Sequence, residues 1–260
     1  MLREVGEQRF AAPSPTMLFM EFRTLPEFGA FMAAWPSLLT APRGRSRPVL
    51  VLPPFGTSDR YTQPLRLLLQ TLGYRAEGWE LGHNLGRTPA VVDGIPRRLL
   101  ELHDATGMPV SIIGWSMGGV LARELAREYP DAVRQVIGLG APFRMRHHDA
   151  HRSNASMLYE MVRGLQAEPS ASMLLHEHER GPMPVPTTSI YSRSDGVVSW
   201  RACVDDDRPR AENIEVVGSH CGLGHNPAAV VAVLDRLGQP DGEWAPFAPP
   251  RGSAYLYPAA

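Results

Sequence analysis

From Pro48 onward the chain alternates short apolar runs of β-type residues with stretches of helical period, an order that few folds accommodate. Val49-Leu50-Val51-Leu52, Tyr74 to Trp79, Val110 to Ile113, Val133 to Leu139, Thr187 to Tyr191 and Ile214 to Val217 read as strands. Helices fall between them at Pro64 to Leu72, Thr88 to Thr106 and Met117 to Tyr129, and Ala228 to Leu237 closes the series. Strands that are apolar on both faces must be covered on both faces. The pattern therefore predicts an α/β fold, with a mostly parallel central sheet of about six strands flanked by helices. A single domain of this kind can account for all 260 residues.

Three segments fall outside the alternation. Between Pro142 and Pro184 it lapses, leaving two helix-like pieces, Ser156–Gln166 and Ala171–Glu179, rich in Met, Leu, Arg and His. Helices inserted before a late strand commonly cover a site, so residues 143–184 are expected to form a lid. Residues 1–46 read as an N-terminal helical extension. The stretch Met17 to Leu39 is apolar, but Glu21, Arg23, Glu27, Pro26 and Pro36 interrupt it. A membrane span is thereby disfavoured, and an amphipathic packing helix broken near Pro26 or Pro36 is expected, with interfacial membrane contact the lesser alternative. The first residues lack the layout of a secretory signal, so a cytoplasmic location is expected. The tail from Gln239, rich in Pro, Gly and aromatic residues, is expected to wrap the surface.

Composition excludes several chemistries. A formal charge of -1 offers no broad field for nucleic acid. All 26 basic residues are arginine. Without lysine there is neither a Walker-type phosphate loop nor a Schiff-base nucleophile. Two cysteines, Cys203 and Cys221, cannot build a disulfide framework or a four-thiolate zinc site; they could pair once, although a reducing compartment favours free thiols.

The sharpest chemical signal is Gly114-Trp115-Ser116-Met117-Gly118-Gly119, which directly follows an apolar strand and opens a helix. A serine on a sharp strand-to-helix turn needs very small neighbours, and the helix N-terminus favours developing negative charge. Serine becomes a good nucleophile only when a base takes its proton. Of the candidates after a late strand, His220 lies three residues past Val217, whereas His225 abuts Asn226-Pro227, a helix start. His220 is therefore preferred. Asp195, on the turn leaving the strand Thr187 to Tyr191, is the candidate acid, which completes the order Ser, Asp, His. Two backbone N–H groups should face the developing oxyanion, from Met117 and from the loop after the first strand. Pro53 and Pro54 have no N–H, so Phe55 is the first donor there, while Thr57, Ser58 or Asp59 should cap the next helix.

With these residues in view, the chain resembles the α/β-hydrolase superfamily, and within it the small bacterial lipases and esterases. The resemblance rests on the strand leading into an oxyanion loop, on Ile190-Tyr191-Ser192 with Asp195-Gly196-Val197-Val198, and on His220-Cys221-Gly222-Leu223. It spans about Pro48 to Leu237 by element order. One departure is Pro53-Pro54, where relatives usually carry His-Gly or Pro-Gly.

The resemblance implies a carboxylic-ester hydrolase acting on a small-molecule ester through an acyl-enzyme, with no cofactor and no metal. Trp115, beside the nucleophile, is the candidate substrate-binding aromatic; Trp79 and Trp200 are weaker ones. An acyltransferase using the same residues is the main alternative. An amidase or polyester hydrolase and a non-catalytic binding protein on the same fold are further ones. Three signals are discounted. His176 and His178 in His176-Glu177-His178-Glu179 would diverge on a helix. The basic run Arg144, Arg146, His147, His148, His151 and Arg152 reads as a solvated lid start, and Asp205, Asp206 and Asp207 as a solvated loop.

Overall fold

The computed structural model describes residues 10–145, 153–169, 175, 177–206 and 208–258. β1 (Pro48–Leu52), β2 (Arg75–Gly78), β3 (Val110–Trp115), β4 (Val133–Leu139), β5 (Thr187–Tyr191) and β6 (Ala211–Glu215) form one sheet. Its order is β2-β1-β3-β4-β5-β6, and every pairing is parallel. The helices are α1 (Pro15–Phe19), α2 (Thr24–Leu38), α3 (Asp59–Thr71), α4 (Pro89–Thr106), α5 (Met117–Glu128), α6 (Ser156–Met161) and α7 (Pro227–Gly238).

The core follows from the period of two along each strand. In β1, Val49 and Val51 point to the face covered by α2, α3 and α7, while Leu50 and Leu52 point to the face covered by α4 and α5. β3 does the same with Ile113 and Trp115 against Val110 and Ile112. The strand order reverses between β1 and β3, and a crevice opens at their carboxyl ends. Ligands of open α/β sheets bind at such a crevice.

Two of the boundaries that differ from expectation do so for visible reasons. α3 begins at Asp59 rather than Pro64, because Asp59 accepts hydrogen bonds from the N–H groups of Trp79 (3.1 Å) and Glu80 (2.9 Å) and so ties its first turn to β2. Ser58 occupies the cap position without a side-chain capping bond. The N-terminal segment does not break at a proline. It tightens into a 3-10 turn at Met20–Arg23, and α2 then runs through Pro26 and Pro36. Pro26 lies in the first turn, where no intrahelical N–H is needed, and Pro36 lies near the end. Phe31 and Leu38 enter the core, and α2 packs on α7 and on the 220–225 turn.

The outer side of this segment carries Met17, Leu18, Phe19, Phe22, Leu25 and Met32; Phe22 is 68% and Leu25 71% exposed. Among the described residues, no helix is long and apolar enough to cross a membrane. The tail does wrap the body: Phe247 and Tyr257 join the core, and Tyr257 Oη donates to the Ala228 carbonyl at 3.0 Å. Between residues 143 and 184, α6 and 3-10 turns at Arg163–Leu165 and Glu177–Glu179 are described. Most of the expected helix Ala171–Glu179, and Arg146, His147, His148, His151, Arg152 and Asp207, lie outside the described residues.

Candidate active site

Ser116 sits where β3 turns into α5, with φ 52° and ψ -121°, a conformation an L residue adopts only when its surroundings enforce it. The enforcement is steric and local. A Cβ at Gly118 would stand 2.5 Å from the Leu52 carbonyl oxygen, and one at Gly119 would overlap Ala141. The small residues after Ser116 therefore let α5 approach the ends of β1 and β4 closely enough to close the turn. The Ser116 N–H donates to the Leu139 carbonyl at 2.8 Å, fixing the turn to the tip of β4.

Asp195 follows β5 and is buried. Its Oδ1 accepts from the N–H groups of Val197 and Val198, both at 2.8 Å, and its Oδ2 lies 2.5 Å from Nδ1 of His220. A carboxylate can only accept, so Nδ1 carries the proton and Nε2 is the basic nitrogen of the ring. Burial alone would lower the pKa of His220. The charge and hydrogen bond of Asp195, with the charge of Glu21 beyond, outweigh burial and leave it raised above 6.5.

His220 is seated on the tips of β3 and β4. Its carbonyl accepts from Trp115 Nε1 at 3.0 Å, and a Cβ on Gly140, which follows β4 with φ 56°, would stand 3.0 Å from its Nδ1. Asp195 and His220 thus meet from the turns after β5 and β6, and His220 is held beside the carboxyl ends of β3 and β4, between which Ser116 lies.

His225, the other candidate base, is placed elsewhere. Its Nε2 lies 3.0 Å from Thr24 Oγ1 and 3.2 Å from the Thr24 carbonyl, its ring meets Phe28 and Trp115 edge-on, and burial lowers its pKa. Trp115 is not among the residues that line the cavity at Ser116. It is 2% exposed and packs against Tyr61 and His225 beneath the turn, because alternation along β3 sends it to the α2, α3 and α7 face. Trp79 is buried, bonded to the Gly82 carbonyl, and Trp200 stacks on Tyr191. Cys203 and Cys221 are both free thiols, and burial with the charge of Glu21 pushes Cys221 up to about 12.

A cavity of about 130 Å³ opens at Ser116. Phe55 and Met117 line it together with Val120, Phe143, Met145 and Val198, and Arg87, Glu124 and Arg180 stand among its polar residues. The loop bearing Phe55 is held by Asn84, which is fully buried and not foreseen from sequence. Asn84 Nδ2 donates to the Pro53 carbonyl at 2.6 Å, its N–H to the Thr57 carbonyl at 2.7 Å, and its own carbonyl accepts from Gly56 N–H at 2.7 Å. The amide side chain thus satisfies the Pro53 carbonyl in a stretch where two consecutive prolines have no N–H of their own.

The acidic signals resolve into ion pairs. Asp205 is buried rather than solvated, accepting from Arg123 Nη1 at 2.7 Å. Glu177 accepts from Arg123 at 2.6 Å and from Arg127 at 2.7 Å. Both face arginines of α5, which compensate the cost of burying a carboxylate. His176 lies outside the described residues. Among the described ones, no three His, Cys, Asp or Glu side chains are grouped to hold a metal ion.

Neither a family model nor a curated protein matches this sequence. Solved structures do match by fold. Aspergillus fumigatus lipase B aligns with TM-score 0.59 and 18% identity, over 76% of this chain and 53% of that one. Bacillus licheniformis lipase BlEst2 in its mature form aligns with TM-score 0.54 and 16% identity, over 75% and 94%. A chain from the study of the metagenome-derived lipolytic enzymes LipS and LipT aligns with TM-score 0.53 and 18% identity, over 75% and 93%. The chain spans about half the length of the Aspergillus lipase. At these identities the likeness is one of architecture, and with the all-parallel sheet and its serine turn it gives the chain the α/β-hydrolase fold.

Proposed function

We propose that the protein is a serine hydrolase of carboxylic esters, with Ser116 as nucleophile, His220 as base and Asp195 as its orienting acid. The observation that carries this reading is the buried 2.5 Å Asp195–His220 pair, seated through Trp115 on the same turn that strains Ser116. Nε2 removes the Ser116 proton as Oγ attacks the ester carbonyl, and the tetrahedral oxyanion is met by the N–H groups of Met117 and Phe55. The imidazolium then protonates the departing alcohol. Water, deprotonated by the same nitrogen, releases the acid and restores the serine.

The mostly apolar cavity beside Ser116 fits an acyl chain or an aromatic acid. Residues 143–184 are proposed as its lid, because Phe143, Met145, Ser153, Ala155, Gln166 and Leu175 all line it. Labelling with a fluorophosphonate, read by intact mass and peptide mapping, tests the reading. One adduct on Ser116 is expected, absent in Ser116→Ala and greatly slowed in His220→Ala. No adduct on folded protein, or an undiminished rate without His220, sinks the assignment. Adding a competing alcohol during turnover separates hydrolysis from acyl transfer by the ratio of new ester to free acid.

Asn84 offers a test of the oxyanion loop. Asn84→Ala leaves the buried Pro53 carbonyl and Gly86 N–H unsatisfied, which costs about 1–3 kcal/mol. If that loop presents Phe55 to the oxyanion, kcat for a nitrophenyl ester falls about 10²-fold while KM changes little. Stability lost without any change in kcat would remove Phe55 from the mechanism.

A further inference from the structure

The N-terminal segment does more than pack. Glu21 is 8% exposed, and its carboxylate is used on both oxygens. Oε1 accepts from Gly196 N–H at 2.7 Å and from His220 N–H at 3.0 Å, and Oε2 accepts from Cys221 N–H at 2.8 Å. Those donors are the residue after the acid, the base itself, and the residue after the base. They belong to two loops that leave β5 and β6 separately, so beyond the Tyr191–Glu215 register the sheet does not set their spacing.

We propose that Glu21 is a positioning residue for the Asp195–His220 pair, a buried carboxylate that bridges the acid turn and the base loop and holds them in the register the pair needs. This role rests on the serine-hydrolase reading above. Neighbouring side chains fasten the same two loops. Arg23 Nη2 donates to the carbonyls of Ser194 (2.9 Å) and Gly218 (3.4 Å), Thr24 Oγ1 to that of Cys221 (2.9 Å), and Glu27 accepts from Ser219 N–H (2.8 Å) and Oγ (2.6 Å). Glu21 alone among them bonds the backbone of His220 and lies within reach of its charge. A carboxylate suits this place, since three N–H groups converge on its two oxygens and each of them can only donate.

Among the described residues, Asp195 and Glu21 bond His220 itself, and the other titratable or charged groups packed about its loop are Arg23 on the N-terminal segment, Glu27 at the start of α2, Cys221 and His225 on the loop, and Tyr61 of α3, whose hydroxyl donates to the Cys221 carbonyl at 2.7 Å. Burial holds Tyr61 and Cys221 protonated, and it favours neutral His225. Asp195 and Glu21 are the negative charges that raise the His220 pKa, so removing one should lower it.

Glu21→Gln and Glu21→Asp separate charge from geometry. With a monomeric nitrophenyl ester, both are expected to lower kcat about 10²-fold with little change in KM, because the pair is displaced rather than the pocket. In Glu21→Gln the ascending limb of kcat/KM should also move to lower pH, since neutral His220 is the active form and its pKa falls. In Glu21→Asp the charge remains and the limb stays nearer its original place. The far-downfield proton resonance of the Asp195–His220 hydrogen bond should shift or vanish in both, a signature that general loosening elsewhere would not produce. A folded Glu21→Gln with unchanged kcat, limb and resonance overturns the positioning role. So does a lower melting temperature with unchanged turnover per folded molecule. If wild-type Ser116 takes the fluorophosphonate label in either case, the hydrolase reading stands; an unlabelled wild type overturns both.

Discussion

Asp195→Asn is expected to leave the fold intact and to lower kcat about 10⁴-fold, the size of loss found when a triad acid becomes its amide. The reason lies in which oxygen does what. Oδ1 accepts two backbone N–H groups, from Val197 and Val198, and an amide nitrogen cannot take its place. The carbonyl of the substituted side chain must therefore turn toward the backbone, which aims its NH₂ at Nδ1 of His220. A ring nitrogen that faces a donor must itself accept, so the proton moves to Nε2 and the nitrogen meant to be the base no longer has a free lone pair. Ser116→Ala and His220→Ala should each cost about 10⁶-fold, and together little more, because in the proposed mechanism the residues act as one device. Steady-state turnover of a nitrophenyl ester, with circular dichroism as the folding control, measures all four variants. An Asp195→Asn enzyme within about tenfold of wild type would remove Asp195 from the mechanism, at the 10⁴ scale argued here.

What can be read from sequence follows from how local the cause of each feature is. The strands are legible because β1 and β3 are apolar on both faces, which only a covered parallel sheet explains. Ser116 is legible because the steric demand of its turn is met by residues within three positions of it. Trp115 misleads because adjacency to Ser116 suggests the cleft, whereas alternation along β3 sends it to the opposite face.

Along the chain, Glu21, Arg23 and Glu27 read only as interruptions of an apolar run. A signal for more is present: a carboxylate flanked by Met20 and Phe22 must be either exposed or paired. Its partners lie 175 to 200 residues away, and no pattern along the chain names them. Asn84 and Asp205 share that difficulty: Asn84 lies in an unremarkable loop and Asp205 in an acidic run that reads as solvated, and the fold supplies the partners of both.

Arg123 carries the largest expected loss of stability. Its side chain is 5% exposed, bonded to Asp205 through Nη1 and to Glu177 through Nη2, and its guanidinium lies 3.8 Å from the centre of the Phe143 ring. Arg123→Met keeps the length and the packing over Phe143 but leaves two buried carboxylates short of a cation. Glu177 retains Arg127 and Arg180, so most of the penalty falls on Asp205, whose Oδ2 keeps only the Thr187 hydroxyl at 3.3 Å among these side chains. Breaking a buried pair from one side costs about 3–5 kcal/mol, or about 10 °C in melting midpoint for a chain of this size. Adding Asp205→Leu should recover much of that loss, because removing both charges also removes the desolvation penalty. Phe143 and Glu177 both line the cavity, so the single variant should raise KM more than it lowers kcat. Denaturant and thermal unfolding of the two variants decide the matter. A single variant within about 2 °C of wild type would mean that water already reaches this cluster. In that case the floor under the cavity is held by apolar packing rather than by the arginines of α5.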